Sequence, residues 1–441
     1  MQNDIFETMP VRKAYMKMAL PVVLSMVVTL IYNLVDTYFI AKTGNTNLVA
    51  GVSLGAPIFT LMIALGDILG LGGSSVISRL FGEQKVEDGK RLSVFCFYGA
   101  LLGGIVVTLI LLGFRTPILH VLGTDQDTVY YTSQYYTYIA LGAPFLILNF
   151  TPSNILRSEG LAMESMIGSI SGAVINMILD PVFIFVLGMG AGGAAIATVI
   201  GYICGDLYFT WVLVKKSQKL SVNPKLLKIS AAELGAIFAI GFPASITNIM
   251  QSIGMTLTNR FLFTYGNDKI AVMGIVMKIN MIAVLILVGF AFGGQALVGY
   301  NYGSHNHRRF HEIVLFSYKF EIGLALVIST VLAVLAPVIV KGFLKDSTLV
   351  QTGTEMLRFQ LLGMIFVAVV LISTCVFQAT GKALGALILS ASRQGVIFAL
   401  VLVAVSRIVG YHGIIAAQAI SDFITAIIAI LLYRGMHFEK E

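Results

Sequence analysis

The residues of this sequence best suited to chemistry are a few acids embedded in apolar runs. Asp36 lies about five residues from the end of the first run and Asp180 about seven from the end of the fifth, while Thr198 lies about six residues into the sixth. At a rise of about 1.5 Å per residue, all three come to one depth, roughly 10 Å from the same boundary. Asn176 precedes Asp180 by one helical turn and shares its face, and Thr29, Tyr32, Asn33 and Asp36 form a polar stripe along the first run. Pro181 removes a backbone donor and frees the carbonyl one turn back, which adds an oxygen nearby. Two carboxylates with amide and hydroxyl oxygens can hold a hard monovalent cation such as Na+, with Asp36, Asn176 and Asp180 around it. In a medium of low dielectric constant the same two carboxylates can instead share one proton. Polar residues that only bond neighbouring helices to one another would give the same pattern.

Other polar residues have plainer readings. Asp67 and Asp206 lie deeper, and Asp206 is expected to approach the polar interface. Arg393 and Asp422 fall at similar mid-depth in the last two runs and are expected to form a structural ion pair. Long cations near run ends, such as Arg260, Lys319 and Arg358, can reach the interface by snorkelling. Cys96, Cys204 and Cys375 each lie inside an apolar run, with no metal spacing and no disulfide framework. His305, His307 and His311 share a short loop with Arg308 and Arg309, which reads as an ordinary loop. There is no Walker A sequence and no catalytic constellation, so neither an enzyme nor a cofactor is expected.

The runs themselves decide what positions these groups. Of 441 residues, 57% are hydrophobic and 12% charged, about half the charged share of a soluble chain. So much apolar surface needs lipid as its solvent. The predicted helices cover 15–41, 50–80, 93–114, 131–155, 164–187, 192–215, 234–263, 271–298, 313–341, 352–377, 383–407 and 412–434, which is twelve spans. With the N-terminus inside, the inner segments carry eighteen Lys and Arg and the outer segments six, which places both termini in the cytoplasm. The net charge of +7 therefore belongs to loop topology, and nucleic acid is not an expected partner.

The sequence also repeats. Pro21, Gly44, Gly72-Gly73, Gly82, Gly160 and Gly192 are answered by Pro243, Gly266, Gly293-Gly294, Gly303, Gly381 and Gly413 at one nearly constant register. The hydrophilic stretch 215–233 lies at the midpoint. Two six-helix lobes, 1–220 and 221–441, are expected, related by an axis along the membrane normal with a cavity between them. Its expected lining includes Tyr32, Asn33, Asn149, Asn154, Ser245, Asn248 and Ser252. Asp36 is answered by Thr258 and Asp180 by Val401, so ion coupling is expected in the first lobe alone.

The chain resembles the multidrug and toxic compound extrusion (MATE) transporters, and within them the MepA-like group. The resemblance rests on ALPVVLS at Pro21, LVDTYFIA around Asp36, VISRLFGEQ at 76–84, LRSEG at 156–160, INMILDPVFIF at 175–185 and SVNPKLLK at 221–228. It implies an all-α membrane protein of twelve transmembrane helices in two pseudo-symmetric six-helix bundles. It also implies a monomeric antiporter in the cell membrane, among lipids, exporting organic cations and amphipathic drugs against H+ or Na+. Related members bind a cation in the first lobe, and the positions corresponding to their ligands read Asp36, Asn176, Asp180 and Thr198. The acids that a sodium-driven branch carries in the seventh and tenth helices are absent here, since 234–263 has no acid and Glu355 sits at a helix end. A lipid-linked precursor flippase of the same superfamily is the alternative, but such proteins carry a cationic cavity, and deep cations here amount mainly to Lys278 and Arg393.

Overall fold

Inside lipid, backbone donors and acceptors must be satisfied within the chain, and a helix does this residue by residue. The computed structural model describes residues 2–435, apart from the side chains of Gln2, Asn3, Asn248, Ile249, Ser252 and Asn267. It is helical almost throughout. A short α1 (Gln2–Glu7) precedes α2 (Val11–Lys42), α3 (Thr46–Gly82), α4 (Val86–Gly113), the short α5 (Arg115–Val121), α6 (Val129–Ser158), α7 (Ala162–Pro181) and α8 (Gly190–Lys215). A π-helical turn, Val182–Val186, continues α7 beyond Pro181. After a connection containing a 3-10 turn at Pro224–Leu226 come α9 (Ala231–Leu262), α10 (Asn267–Gly303), α11 (His307–Lys341), α12 (Ser347–Leu362), α13 (Met364–Ala379), α14 (Ala383–Gln394), α15 (Val396–Val409) and α16 (Tyr411–Arg434).

Among the described residues, ten spans are long and apolar enough to cross a bilayer, and α12 with α13 makes an eleventh, bent by 40°. The sequence predicts twelve. The remaining candidate is α9, which has 32 residues but whose described apolar stretch covers only Ala231–Thr247. The bend falls at Gly363, where α16 comes so close that a Cβ would lie 3.0 Å from the Ala419 Cα and from the Asp422 carboxylate.

The repeated glycines have physical causes. Gly44 and Gly266 have φ of 69° and 107°, and Gly160 and Gly381 have φ of 88° and 77°. These are left-handed turns that a side chain would strain. Gly82 and Gly303 meet each other's helices. A Cβ on Gly82 would strike the Tyr300 carbonyl of α10, and one on Gly303 the Arg79 carbonyl of α3. α3 also packs on α9, and α10 on α2, as a two-fold repeat requires. The helices before the Pro224–Leu226 connection, α1–α8, form a first set and those after it, α9–α16, a second, and the two meet along a seam of close backbone contacts. Tyr15 of α2 donates to the Phe290 carbonyl at 3.0 Å, and Ser245 of α9 to the Ala64 carbonyl at 2.5 Å. Ser75 of α3 donates to the Gln378 carbonyl. The seam occupies the halves of α2, α3, α9 and α10 nearest the chain ends. There α1 is held as well: Arg309 donates to the Phe6 and Met9 carbonyls, both at 2.6 Å.

The second set carries the expected ion pair. Arg393 Nε of α14 lies 3.0 Å from Asp422 Oδ1 of α16, with the side chains 13% and 3% exposed. Gln418 donates to the same oxygen at 3.0 Å, and Ser421 donates to the Arg393 carbonyl at 3.0 Å. Removing one partner leaves an uncompensated buried charge, a cost of about 3–5 kcal/mol. Arg393→Ala and Asp422→Ala should each lower the thermal unfolding midpoint in detergent, and the double variant should lose less than the sum. Additive losses would mean that the two residues do not couple.

Candidate functional site

The local sequence of α7 and α8 sets the site's geometry. The two helices cross where Gly172 faces Gly201, and a Cβ on either would come within 2.7 or 2.6 Å of the other's carbonyl oxygen. Small residues at a crossing let helices approach closely. The approach carries Asn176, one turn beyond Gly172, against Thr198, whose hydroxyl accepts from Asn176 Nδ2 at 3.1 Å. That hydroxyl donates to the Ala194 carbonyl at 3.0 Å within α8. From α2, the Tyr32 hydroxyl reaches it at 3.4 Å. Asp36, one turn beyond Tyr32, comes within hydrogen-bonding reach of Asp180.

The three residues that share one depth in the sequence are thus gathered with Asn176, one turn before Asp180, and Tyr32 joins them. Asp180 is 0% exposed, Asn176 2% and Thr198 4%. Both Asp180 oxygens, Asp36 Oδ1 and Asn176 Oδ1 are buried with no hydrogen-bond donor. Two carboxylates facing each other are acceptors only, so they are satisfied by a proton between them or by a cation. The orphan oxygens are all hard donors, a set that suits Na+ or H+. Thr198 also spends its lone pairs on Asn176 and Tyr32, which turns the free oxygen of Asn176 away from the hydroxyl.

Beside this cluster is a cavity of about 110 Å³, with Tyr32, Asn176 and Thr198 in its wall along with Asn149, Ser153 and Tyr202. It lies within the first set of helices, between α2, α6, α7 and α8. Of the expected lining, Tyr32 and Asn149 border it. Asn33 is exposed. Asn154 is buried away from it, donating to the Phe150 carbonyl at 2.7 Å and accepting from Arg157. Ser245 belongs to the seam. The side chains of Asn248 and Ser252 lie outside the described residues.

Two acids depart from the sequence reading. Asp206 is not at an interface: it is 5% exposed and accepts from Asn149 at 2.9 Å, behind the cavity wall. Glu321 of α11 received no role. It is 0% exposed, and neither carboxylate oxygen has a partner. A lone acid inside an apolar run, the signal that singled out Asp36, would have found it.

The MatE family profile matches residues 21–182 and again 243–405. The chain is 32% identical over 428 residues to the multidrug export protein MepA of Staphylococcus aureus (strain MRSA252), covering 97% of this chain and 94% of the relative. The identity to MepA of Staphylococcus haemolyticus (strain JCSC1435) is also 32%, over 427 residues and the same shares. A solved multidrug resistance MATE family transporter of the MOP superfamily, in an outward-facing conformation, is 25% identical. It superposes with a TM-score of 0.90 over 98% of this chain and 97% of that one. The fold is also that of a MATE crystallised with MaL6, at TM-score 0.92 and 24% identity over 98% and 97% of the two chains.

The Thr198 hydroxyl is the acceptor for a buried amide, and leaving such a donor unpaired costs about 1–3 kcal/mol. Thr198→Val should lower the thermal midpoint accordingly, while Thr198→Ser should stay near wild type. A Val variant as stable as the parent would remove the hydroxyl from the cluster.

Proposed function

Since the chain belongs to the MATE family of multi-pass membrane transporters, we propose that it exports organic cations and amphipathic drugs by antiport against H+ or Na+. The single observation carrying this reading is the pair of Asp36 and Asp180, whose buried oxygens no donor satisfies and which adjoins a cavity inside the bundle. The relatives named for multidrug export support the same reading.

In this reading the ion is a substrate. Asp36 and Asp180 hold it, the free Asn176 oxygen completes its surroundings, and the Thr198 hydroxyl holds the Asn176 amide in place. A ligand moves a conformational equilibrium only if it binds the two states unequally. The pair meets this requirement because Asp36 stands on α2 and Asp180 on α7. Any displacement of α2 relative to α7 separates the carboxylates and weakens their joint hold on the ion. Tyr32 extends the coupling to the cavity, since its hydroxyl touches Thr198 while the residue lines that space. Loading the ion and loading the drug therefore act on one wall.

The lobes would be 1–220 and 221–441, set in the cell membrane with both termini in the cytoplasm. One chain holds the pair and the cavity, so the monomer is the transporting unit. Asp36→Asn and Asp180→Asn should each insert normally and lose gradient-driven dye efflux from proteoliposomes, with pH and Na+ gradients imposed separately. The gradient that drives the wild type identifies the ion. Efflux at the wild-type rate in either variant would place the coupling site elsewhere.

A further inference from the structure

Glu321 stands apart from the other buried acids. Asp422 has Arg393 and Gln418, Asp206 has Asn149, and Asp36 and Asp180 have each other. Glu321 has 0% exposure and no partner for either oxygen. An ionised carboxylate left bare in an apolar interior is too costly to persist, so such a place admits the carboxyl group in its neutral form.

What closes the place is the seam. Tyr15, near the start of α2, is 0% exposed and lies edge-on to Phe316 and Phe320 of α11, with centroids 5.3 and 5.8 Å away. Phe320 in turn packs on Phe290 of α10 at 4.9 Å, and Phe290 offers the carbonyl that takes the Tyr15 hydroxyl. Gly294 leaves room for the Tyr15 ring, where any side chain would collide with it. The titratable groups within electrostatic reach of Glu321 are Tyr15 from α2 and Cys375 from α13. Neither α10 nor α12 sets a charged group against it, and among the described residues no Lys or Arg pairs with it. Nearby hydroxyls are already engaged: Ser317 donates to the Ile313 carbonyl at 2.8 Å, and Tyr318 and Ser373 bond each other at 2.8 Å.

We propose that Glu321 is a proton-binding site of the second set of helices, sealed by Tyr15 while the seam is closed and exposed to water when it parts. α2 belongs to the first set and α11 to the second, so separating the two sets withdraws Tyr15 from Phe316 and Phe320. Water then reaches the carboxyl group, which can ionise and give up its proton on the chain-end side. Resealing requires a proton to be taken up again. The second set would thus contribute its own titration to each cycle, and coupling would not be confined to the first. This rests on the alternation of access implied by antiport.

The infrared spectrum of the purified chain at neutral pH tests the bound proton without transport. The wild type minus Glu321→Gln difference should show the carbonyl band of a protonated carboxyl group, and Glu321→Met, an apolar replacement of similar size, should give the same loss. In proteoliposomes, Glu321→Gln should bind dye normally while its efflux loses the dependence on pH at the chain-end side. No lost band in either variant would overturn the proposal, as would a lost band with the wild-type pH response kept. If instead the wild type moves no dye under either gradient, the antiport reading fails, and the infrared band still decides whether Glu321 holds a proton.

Discussion

Two carboxylates within hydrogen-bonding reach, one fully buried and the other half-buried, impose a condition that the rest of the bundle has to meet. Asp36 and Asp180 cannot both be ionised and bare, because their repulsion is unscreened in a low-dielectric interior. The closeness of α7 and α8 at Gly172 and Gly201 brings the supporting amide and hydroxyl into place. The π turn after Pro181 ends the regular helix right beside the acid, a common setting for functional residues. The cluster is therefore rigid on the α7–α8 side and depends on α2 for its remaining carboxylate.

α2 ties together regions that would otherwise be independent. It carries Asp36 and Tyr32 toward one end and Tyr15 toward the other, twenty-one residues apart, or roughly 30 Å of helix. One end completes the ion cluster within the first set, and the other is wedged into the second. A continuous helix transmits displacement along its axis, so the ion cluster and the seam share one moving part. α9 holds the equivalent place in the repeat and packs on α3 as α2 packs on α10, yet it brings no acid to its far end.

Much of this was legible in the sequence because lipid makes hydropathy a strict guide. Eleven of the spans follow from apolar length alone, and the twelfth, α9, shows the same sequence pattern although its described apolar stretch is short. Asp36, Asp180 and Thr198 are legible because depth along a helix is simple arithmetic and residues at equal depth on packed helices tend to meet, and Asn176 follows from its one-turn spacing to Asp180. What arithmetic cannot supply is azimuth. Asn154 and Asn149 lie five positions apart on α6, yet one borders the cavity and the other is tied to Arg157. Asp206 departs for a related reason: nearness to a helix end does not mean nearness to water, and packing of α8 on α6 buries it. The bend at Gly363 and the π turn leave no mark on hydropathy, since each changes the backbone path within a sequence that stays apolar on both sides.

The reciprocal contact of Gly82 and Gly303 bears on how such a chain can change over generations. Each glycine touches main chain of the other set, and main chain cannot be trimmed by a compensating substitution. A larger residue at either position has no second-site remedy short of moving a helix. The cavity wall is different, because Ser153 and Tyr202 meet open space, where a change of shape costs little. Adaptive variation in what the chain handles therefore has a permissive region and a forbidden one, and the border between them runs between the cavity of the first set and the seam.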